Sequence, residues 1–140
     1  MHALRSKAVI VPLLVLILGA VLAAVAYGAV VSRQVLAEGS NLQYRFERQT
    51  SDASGFDSGW HIHPGVVIFQ VESGSVQIFQ GSCTARTLNA GDTYIEVPWK
   101  PIRAMSSGAV TWTISVFVPT GQALAVPLAA YTPQQPNPCP

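Results

Sequence analysis

The chain has 140 residues, of which 49% are hydrophobic and 11% are charged, and its formal net charge is +1 at pH 7. This length and charge suit one small domain with a membrane-related segment, and they exclude the strongly basic surface of a nucleic-acid-binding protein. From Glu38 onward the sequence contains seven acidic and five basic residues. We therefore expect a mildly acidic folded part that does not bind nucleic acid.

The first predicted element is an apolar helix over residues 8–31, which carry no charged side chain and follow Arg5 and Lys7. A helix of that length, at about 1.5 Å per residue, spans a hydrocarbon core of about 30 Å. The basic residues before it favour a cytoplasmic N-terminus and an exported C-terminal domain. Residues 1–37 are thus predicted to be a membrane anchor or a signal peptide, and small residues suited to cleavage occur at 24–26 and 35–37. We expect a protein of the cell membrane, or one secreted after cleavage.

Two histidines, His61 and His63, stand two residues apart just before a segment rich in β-branched residues. Side chains alternate between the faces of a strand, so both imidazoles would emerge on one face, about 7 Å apart along the backbone. Their rings could then converge on one ion or anion. This is half of a metal site, and the one other histidine in the sequence, His2, precedes the apolar segment.

Residues 38–132 have the sequence pattern of an all-β domain, because short β-branched or aromatic runs alternate with glycine, serine and proline turns. Strands are predicted at residues 66–72, 75–80, 93–97 and 109–118. Ser73 and Gly74 predict a two-residue hairpin turn, and residues 89–92 predict a turn before the third strand. The last strand alternates cleanly and is expected to be central. Strands at this spacing indicate a small sandwich or barrel.

The C-terminal residues 133–140 form a proline-rich tail with no apolar pattern to hold it. Cys83 and Cys139 are the two cysteines of the chain. In an exported domain, such a pair tends to form a disulfide. We therefore predict a Cys83–Cys139 bridge that fixes the tail to the domain.

Two segments resemble the conserved motifs of the cupin superfamily, and the resemblance covers residues 55–118. The first motif is matched by the spacing of Gly55, His61, His63, Val67 and Gly74. Residues 91–103 are similar to the second motif, in which a glycine, a proline and then a histidine recur. The resemblance implies an all-β fold, a single double-stranded β-helix (jelly-roll) barrel.

The resemblance also implies that His61 and His63 are metal ligands. Val67 occupies the position of the family's glutamate ligand, and Arg103 that of its last histidine. Neither replacement can serve as a ligand, because valine has no donor atom and arginine has no free lone pair. The implied cofactor is a divalent metal such as iron, manganese or zinc, held by the two imidazoles with water or with an acid from another strand.

Glu72 and Glu96 are the acids nearest in sequence to these histidines. On an unbroken strand, Glu72 lies at odd spacing from His63 and would face away from it. The strand register across the intervening turns is not given by the sequence, so Glu96 has no assigned face. Neither acid is assigned as a ligand.

A second reading of the same residues is a pocket without a metal. If Arg103 points into the barrel beside His61 and His63, the three side chains form a cationic site for a small, possibly anionic ligand such as a carboxylate or phosphate. Apolar walls would come from Trp60, Phe69, Tyr94 and Trp112.

Three functions therefore remain open at the level of the sequence. The first is a non-catalytic protein that binds a metal or a small ligand, and the second is a metal-dependent cupin enzyme of the dioxygenase or isomerase type. The third is a structural or interaction module, in which the histidines bond only to backbone or water. A homodimer formed through strand edges is compatible with each of them.

Overall fold

The computed structural model describes residues 30–128 and Cys139. The predicted apolar helix lies outside these residues, except for Val30 and Val31, which begin the first strand. No helix among the described residues is long and apolar enough to cross a membrane. The first strand extends to Ser40 and pairs with the second, so ordered sheet includes residues 30–37, which precede the predicted barrel domain.

The described residues form an all-β domain, as predicted. Nine strands occur in this part of the chain: β1 Val30–Ser40, β2 Tyr44–Asp57, β3 His61–Ile62, β4 Val66–Ser73, β5 Ser75–Gln80, β6 Arg86–Asn89, β7 Thr93–Glu96, β8 Ile102–Pro119 and β9 Val126–Pro127. All of them belong to one connected hydrogen-bonded sheet.

The long strand β8 organises this sheet, as its alternating sequence predicts. It pairs antiparallel with β2, β3, β4 and β5. Its inward side chains Val110, Trp112, Val116 and Val118 are each at most 7% exposed. Because one strand contacts so many others, the burial of its apolar face contributes much of the stabilisation of the domain.

Ser73 and Gly74 do not form the predicted hairpin. β4 and β5 do not pair with each other but follow one another along β8, where Ser73 lies opposite Thr111 and Gln77 opposite Met105. Gly74 marks the bend between them with a φ of +76°, and a Cβ there would lie 2.3 Å from the carbonyl oxygen of Ala109. The glycine is therefore required by close approach to β8, and the strand changes direction without reversing.

An aromatic stack forms part of the core beneath β8. The ring of Trp112 lies 4.5 Å from that of Phe56 and 6.2 Å from that of Phe69, and both pairs are nearly parallel. Stacked rings bury large apolar areas with a preferred geometry. All three rings belong to the main hydrophobic core.

The predicted disulfide between Cys83 and Cys139 is present, with the two Cα atoms 5.4 Å apart. Cys83 lies in the connection between β5 and β6. The bridge joins positions separated by 56 residues, and it holds Cys139, near the end of the chain, against the domain.

Candidate functional site

His61 and His63 come together at the short strand β3, and this confirms that their side chains share a face. His61 lies opposite Ile102 of β8 and Pro127 of β9, and His63 is 7% exposed just after the strand. The two rings are 4.8 Å apart and nearly perpendicular. Their Nε2 atoms are separated by 3.1 Å.

Backbone carbonyl groups fix the tautomer of both rings. His61 Nδ1 lies 3.0 Å from the carbonyl oxygen of Gly59, and His63 Nδ1 lies 2.6 Å from that of Leu124. A carbonyl oxygen can only accept a hydrogen bond, so each Nδ1 carries a hydrogen and donates it. In the neutral rings, both Nε2 atoms then present lone pairs to each other. Such a contact is favourable when a proton or a metal ion lies between the two nitrogens.

Glu96 supplies an acid at this cluster, although the sequence did not place it. Its Oε2 lies 3.3 Å from His63 Nε2, and the residue is 4% exposed. Glu96 in β7 is the direct cross-strand partner of Val67 in β4. Glu96 thus brings a carboxyl group next to the position at which the resemblance implies the family's glutamate. The buried Oε2 of Glu96 has no hydrogen-bond partner among the described residues.

Burial disfavours charge on each of the three side chains. It lowers the pKa of His63 to about 4, with a further contribution from the nearby charge of His61, and it lowers the pKa of His61 as well. Burial raises the pKa of Glu96 to about 8. In the protein alone at neutral pH, the histidines are therefore neutral and Glu96 holds its proton.

The cluster borders a cavity of about 710 Å³. Trp60, Phe69 and Trp112, which the sequence proposed as apolar walls, line this cavity, and Phe56 joins them. Its volume falls in the range of sites that bind small organic molecules. Polar groups besides the cluster also reach it, among them Gln49 and Ser51 of β2 and Arg33 of β1.

Arg103 does not lie beside the histidines. It is absent from the cavity lining, and its guanidinium pairs with Asp57, with Nε 2.9 Å from Oδ1 and a second bond from the terminal nitrogen to Oδ2. This pairing lowers the pKa of Asp57. The expected cationic pocket built from Arg103 is therefore not formed, because the guanidinium of Arg103 binds the carboxylate of Asp57 instead.

Tyr94 is also placed differently from the expectation. It lies outside the cavity lining, packs against the hydrophobic core and donates a hydrogen bond of 3.0 Å from its hydroxyl group to Gln80 Oε1. The guanidinium of Arg86 lies over its ring at 5.4 Å. Its position is explained by these contacts within the fold.

In the part of the chain that the structure describes, no group of three or more histidine, cysteine, aspartate or glutamate side chains is arranged as a set of metal ligands. The two imidazoles and Glu96 nevertheless have the donor chemistry of such a set, since nitrogen and carboxylate oxygen suit zinc, iron and manganese. Glu96 Oε2, which lies 3.3 Å from His63 Nε2, and the facing Nε2 lone pairs are compatible with a cation at this place.

Comparison with protein families and with curated proteins gives no match for this sequence. Solved structures do match. A cupin-2 domain protein from Shewanella frigidimarina is 23% identical, with 66% of this chain and 86% of that chain covered and a TM-score of 0.50. A protein with a double-stranded β-helix domain from Klebsiella pneumoniae is 26% identical over 69% of this chain and 78% of that chain, with a TM-score of 0.53.

The DMSP lyase DddQ from Ruegeria pomeroyi is similar in structure as well. It is 15% identical, covers 69% of this chain and 50% of its own, and has a TM-score of 0.56. At such identities the likeness describes the fold and not the chemistry. The architecture inferred from the two motifs is thus supported by structures whose sequences have diverged widely.

Proposed function

Since the described domain has the fold of the cupin superfamily, we propose that the protein binds a divalent metal ion through His61, His63 and Glu96. The metal site would lie at the wall of a cavity that takes a small organic molecule. The observation that carries this proposal is the 3.1 Å separation of the two Nε2 atoms, whose Nδ1 hydrogens are held by carbonyl groups. Two lone pairs that meet at this distance are suited to a shared cation.

The charge of the cluster also favours a metal over an anionic ligand. Arg103 is engaged by Asp57, and the acid nearest to His63 is Glu96. At the cluster itself, an anion would therefore meet a carboxyl group and two imidazoles that burial keeps neutral. A divalent cation instead stabilises the carboxylate form of Glu96 and accepts the lone pairs of both rings.

A metal bound at the cluster would supply a Lewis acid next to the cavity. The residues of the chain orient the site: the carbonyl groups of Gly59 and Leu124 hold the two rings, and such contacts strengthen imidazoles as ligands. Trp60, Phe69 and Trp112 keep the adjoining space apolar.

Metal content measured by plasma mass spectrometry tests the proposal. The purified full-length chain is stripped with chelator, offered iron, manganese, zinc, nickel and copper in separate samples, and dialysed. We expect near-stoichiometric uptake of at least one metal by the wild-type chain. Uptake should be lost in the His61→Ala/His63→Ala double variant. Glu96→Gln should bind the metal with an affinity at least about tenfold lower than that of the wild-type chain.

His2→Ala serves as the matched control, because it removes the one histidine outside the pair. It should retain the metal of the wild-type chain. Equal metal content in the wild-type chain and the double variant would contradict the proposal, as would a complete absence of uptake from every metal offered.

We also propose that the domain is exported and remains joined to, or is cleaved from, the apolar segment over residues 8–31. The Cys83–Cys139 bridge supports this proposal, because disulfides persist in oxidising compartments. Protease added to intact cells should degrade the domain without lysis, and alkylation before reduction should label neither cysteine. A domain protected until lysis, with both thiols free, would contradict export.

A further inference from the structure

The inner surface of β2 carries polar residues where an apolar core is expected. Glu47, Gln49 and Ser51 alternate along the strand, and each is at most 6% exposed. Gln49 lies opposite Ile114 of β8, which in turn lies opposite Phe69 of β4. Gln49 therefore belongs to the same inward row as an aromatic wall of the cavity, and it lines the cavity itself.

The side-chain oxygen of Gln49 is buried without a partner. Gln49 is 3% exposed, and its Oε1 accepts no hydrogen bond among the described residues. A buried acceptor left unpaired lowers the stability of the folded state, so native proteins contain few of them. A group that enters the cavity and donates a hydrogen bond would remove this cost.

Gln49 is separate from the histidine cluster in the sheet. Glu96 is on β7, and the path from β7 to β2 crosses β4 and β8. These are three strand steps, or roughly 14 Å along the sheet at about 4.8 Å per step. The cavity therefore has polar groups at two places, with Phe69 and Trp112 among the apolar residues that line it.

We propose that Gln49 is a specificity-determining residue of this cavity. Its Oε1 selects guests that carry a hydroxyl or N–H group on an apolar, ring-sized body. The inference deepens the proposed function, since it rests on the cavity accepting an organic molecule. It does not require a metal at His61 and His63.

Phenol and anisole form a matched pair of probes, because they share the aromatic ring and methylation removes the donor of phenol. Each is titrated into the isotope-labelled full-length chain in the presence of chelator. Binding is followed by the indole N–H signals of Trp60 and Trp112, which report occupancy of the cavity. We expect phenol to bind about tenfold more tightly than anisole to the wild-type chain.

Gln49→Leu should abolish this preference and leave the fold intact, since it replaces an unpaired buried amide with an apolar side chain of similar size. Gln77→Leu is the control, because Gln77 lies on β5 with its side chain exposed. That variant should keep the preference of the wild-type chain. Thermal unfolding of both variants verifies that the domain is folded.

Three results would overturn the assignment. They are equal affinities of phenol and anisole for the wild-type chain, a preference retained in Gln49→Leu, and no shift of either indole signal with either probe. Because the titration is done in chelator, none of these results depends on metal uptake. Failure of the metal proposal would leave the phenol preference in place, and failure here would leave the metal measurement unchanged.

Discussion

A carboxyl group at 4% exposure beside two imidazoles is stable in the fold only if its charge is removed or balanced. In the metal-free protein, Glu96 meets this condition by retaining its proton, since burial raises its pKa to about 8. When a cation binds, the same group provides negative charge. The residue therefore links the stability of the domain without metal to the affinity of the site.

Glu96→Gln should change how stability depends on pH in the metal-free chain. The pKa of Glu96 is about 8 in the folded state against 4.5 for the model value. As pH rises between these values, the unfolded state releases its proton first, so the wild-type chain loses stability across this window. The variant has no such titration. It should equal the wild-type chain near pH 4.5 and exceed it by roughly 2–4 kcal/mol near pH 8.

Urea unfolding in chelator at several pH values measures this difference. Glu72→Gln is the control, because Glu72 lies at the exposed end of β4. It should follow the wild-type curve. A difference between Glu96→Gln and the wild-type chain that stays constant with pH would contradict the assigned burial of the carboxyl group.

At the level of single residues, the sequence predicts which side chains share a strand face but not which strands are neighbours. His61 and His63 could be paired because they stand two residues apart in extended chain, where alternate side chains share a face. Glu96 could not be placed, because its contact depends on the register of β7 against β4. Arg103 was assigned to the pocket from its motif position, but Asp57, which is 46 residues away in the chain, determines where its guanidinium lies.

Strand β4, which follows the histidines, begins at an unusually close contact between the backbones of Gly65 and β8. Gly65 precedes β4, and a Cβ on it would lie 1.7 Å from the carbonyl oxygen of Phe117 and 2.8 Å from the Cα of Val118. These are backbone atoms of β8, which cannot move independently of the sheet. Gly65 thus allows β4 to begin against β8 directly after the histidine segment.

Gly65→Ala should therefore destabilise the domain by about 2–4 kcal/mol, in the range of other overpacking and strain effects. Gly108→Ala is the matched control, because its Cβ would meet nothing within 4 Å. It should change the free energy of unfolding by less than about 0.5 kcal/mol. Urea unfolding compares the two variants, and equal effects would show that β4 does not approach β8 at Gly65.

A second contact between elements joins the end of β2 to the start of β8. Asp57 Oδ1 accepts hydrogen bonds from Arg103 Nε and from the backbone N–H of Gly59. The carbonyl group of Gly59 in turn holds His61. Arg103 thus acts on the site through Asp57 and the turn before β3, and not by facing the cavity.

Asp57→Asn should lower stability by about 0.5–1 kcal/mol at pH 7, because the pair is partly exposed to solvent. Arg103 lowers the pKa of Asp57 below 3.8 in the folded state. The stabilisation is thus present above pH 3.8 and is lost as pH falls through the folded pKa. In the Arg103→Ala background, the same substitution should have little effect at any pH. A full effect in that background would show that the ion pair does not carry the stabilisation.

The arrangement of β4 and β5 along β8 was not predicted from the sequence. Both strands were identified from β-branched runs, yet Ser73 and Gly74 were assigned as a hairpin turn that the structure does not contain. A local turn signal cannot reveal that the 18 residues of β8 offer an edge long enough for two consecutive strands. Gly74 is needed for its close approach to the backbone of β8 and not for a hairpin turn.

At the scale of the whole molecule, most of the sheet joins segments that are distant in sequence. β2 pairs with β8 from Tyr44 opposite Pro119 to Asp57 opposite Met105. Contacts of this kind are formed at a large cost in chain entropy. A small domain built in this way gains from any covalent link that restricts the unfolded chain.

The Cys83–Cys139 bridge provides such a link, because it closes a loop between positions 56 residues apart. Reducing it should lower the free energy of unfolding by about 3–4 kcal/mol and the Tm by roughly 10–25 °C. Cys83→Ser, Cys139→Ser and the double variant should be equally destabilised, since each removes the same constraint. Calorimetry of the oxidised chain and the three variants measures the effect. If Cys83→Ser were much less stable than Cys139→Ser, local packing at Cys83 rather than loop closure would account for the stabilisation.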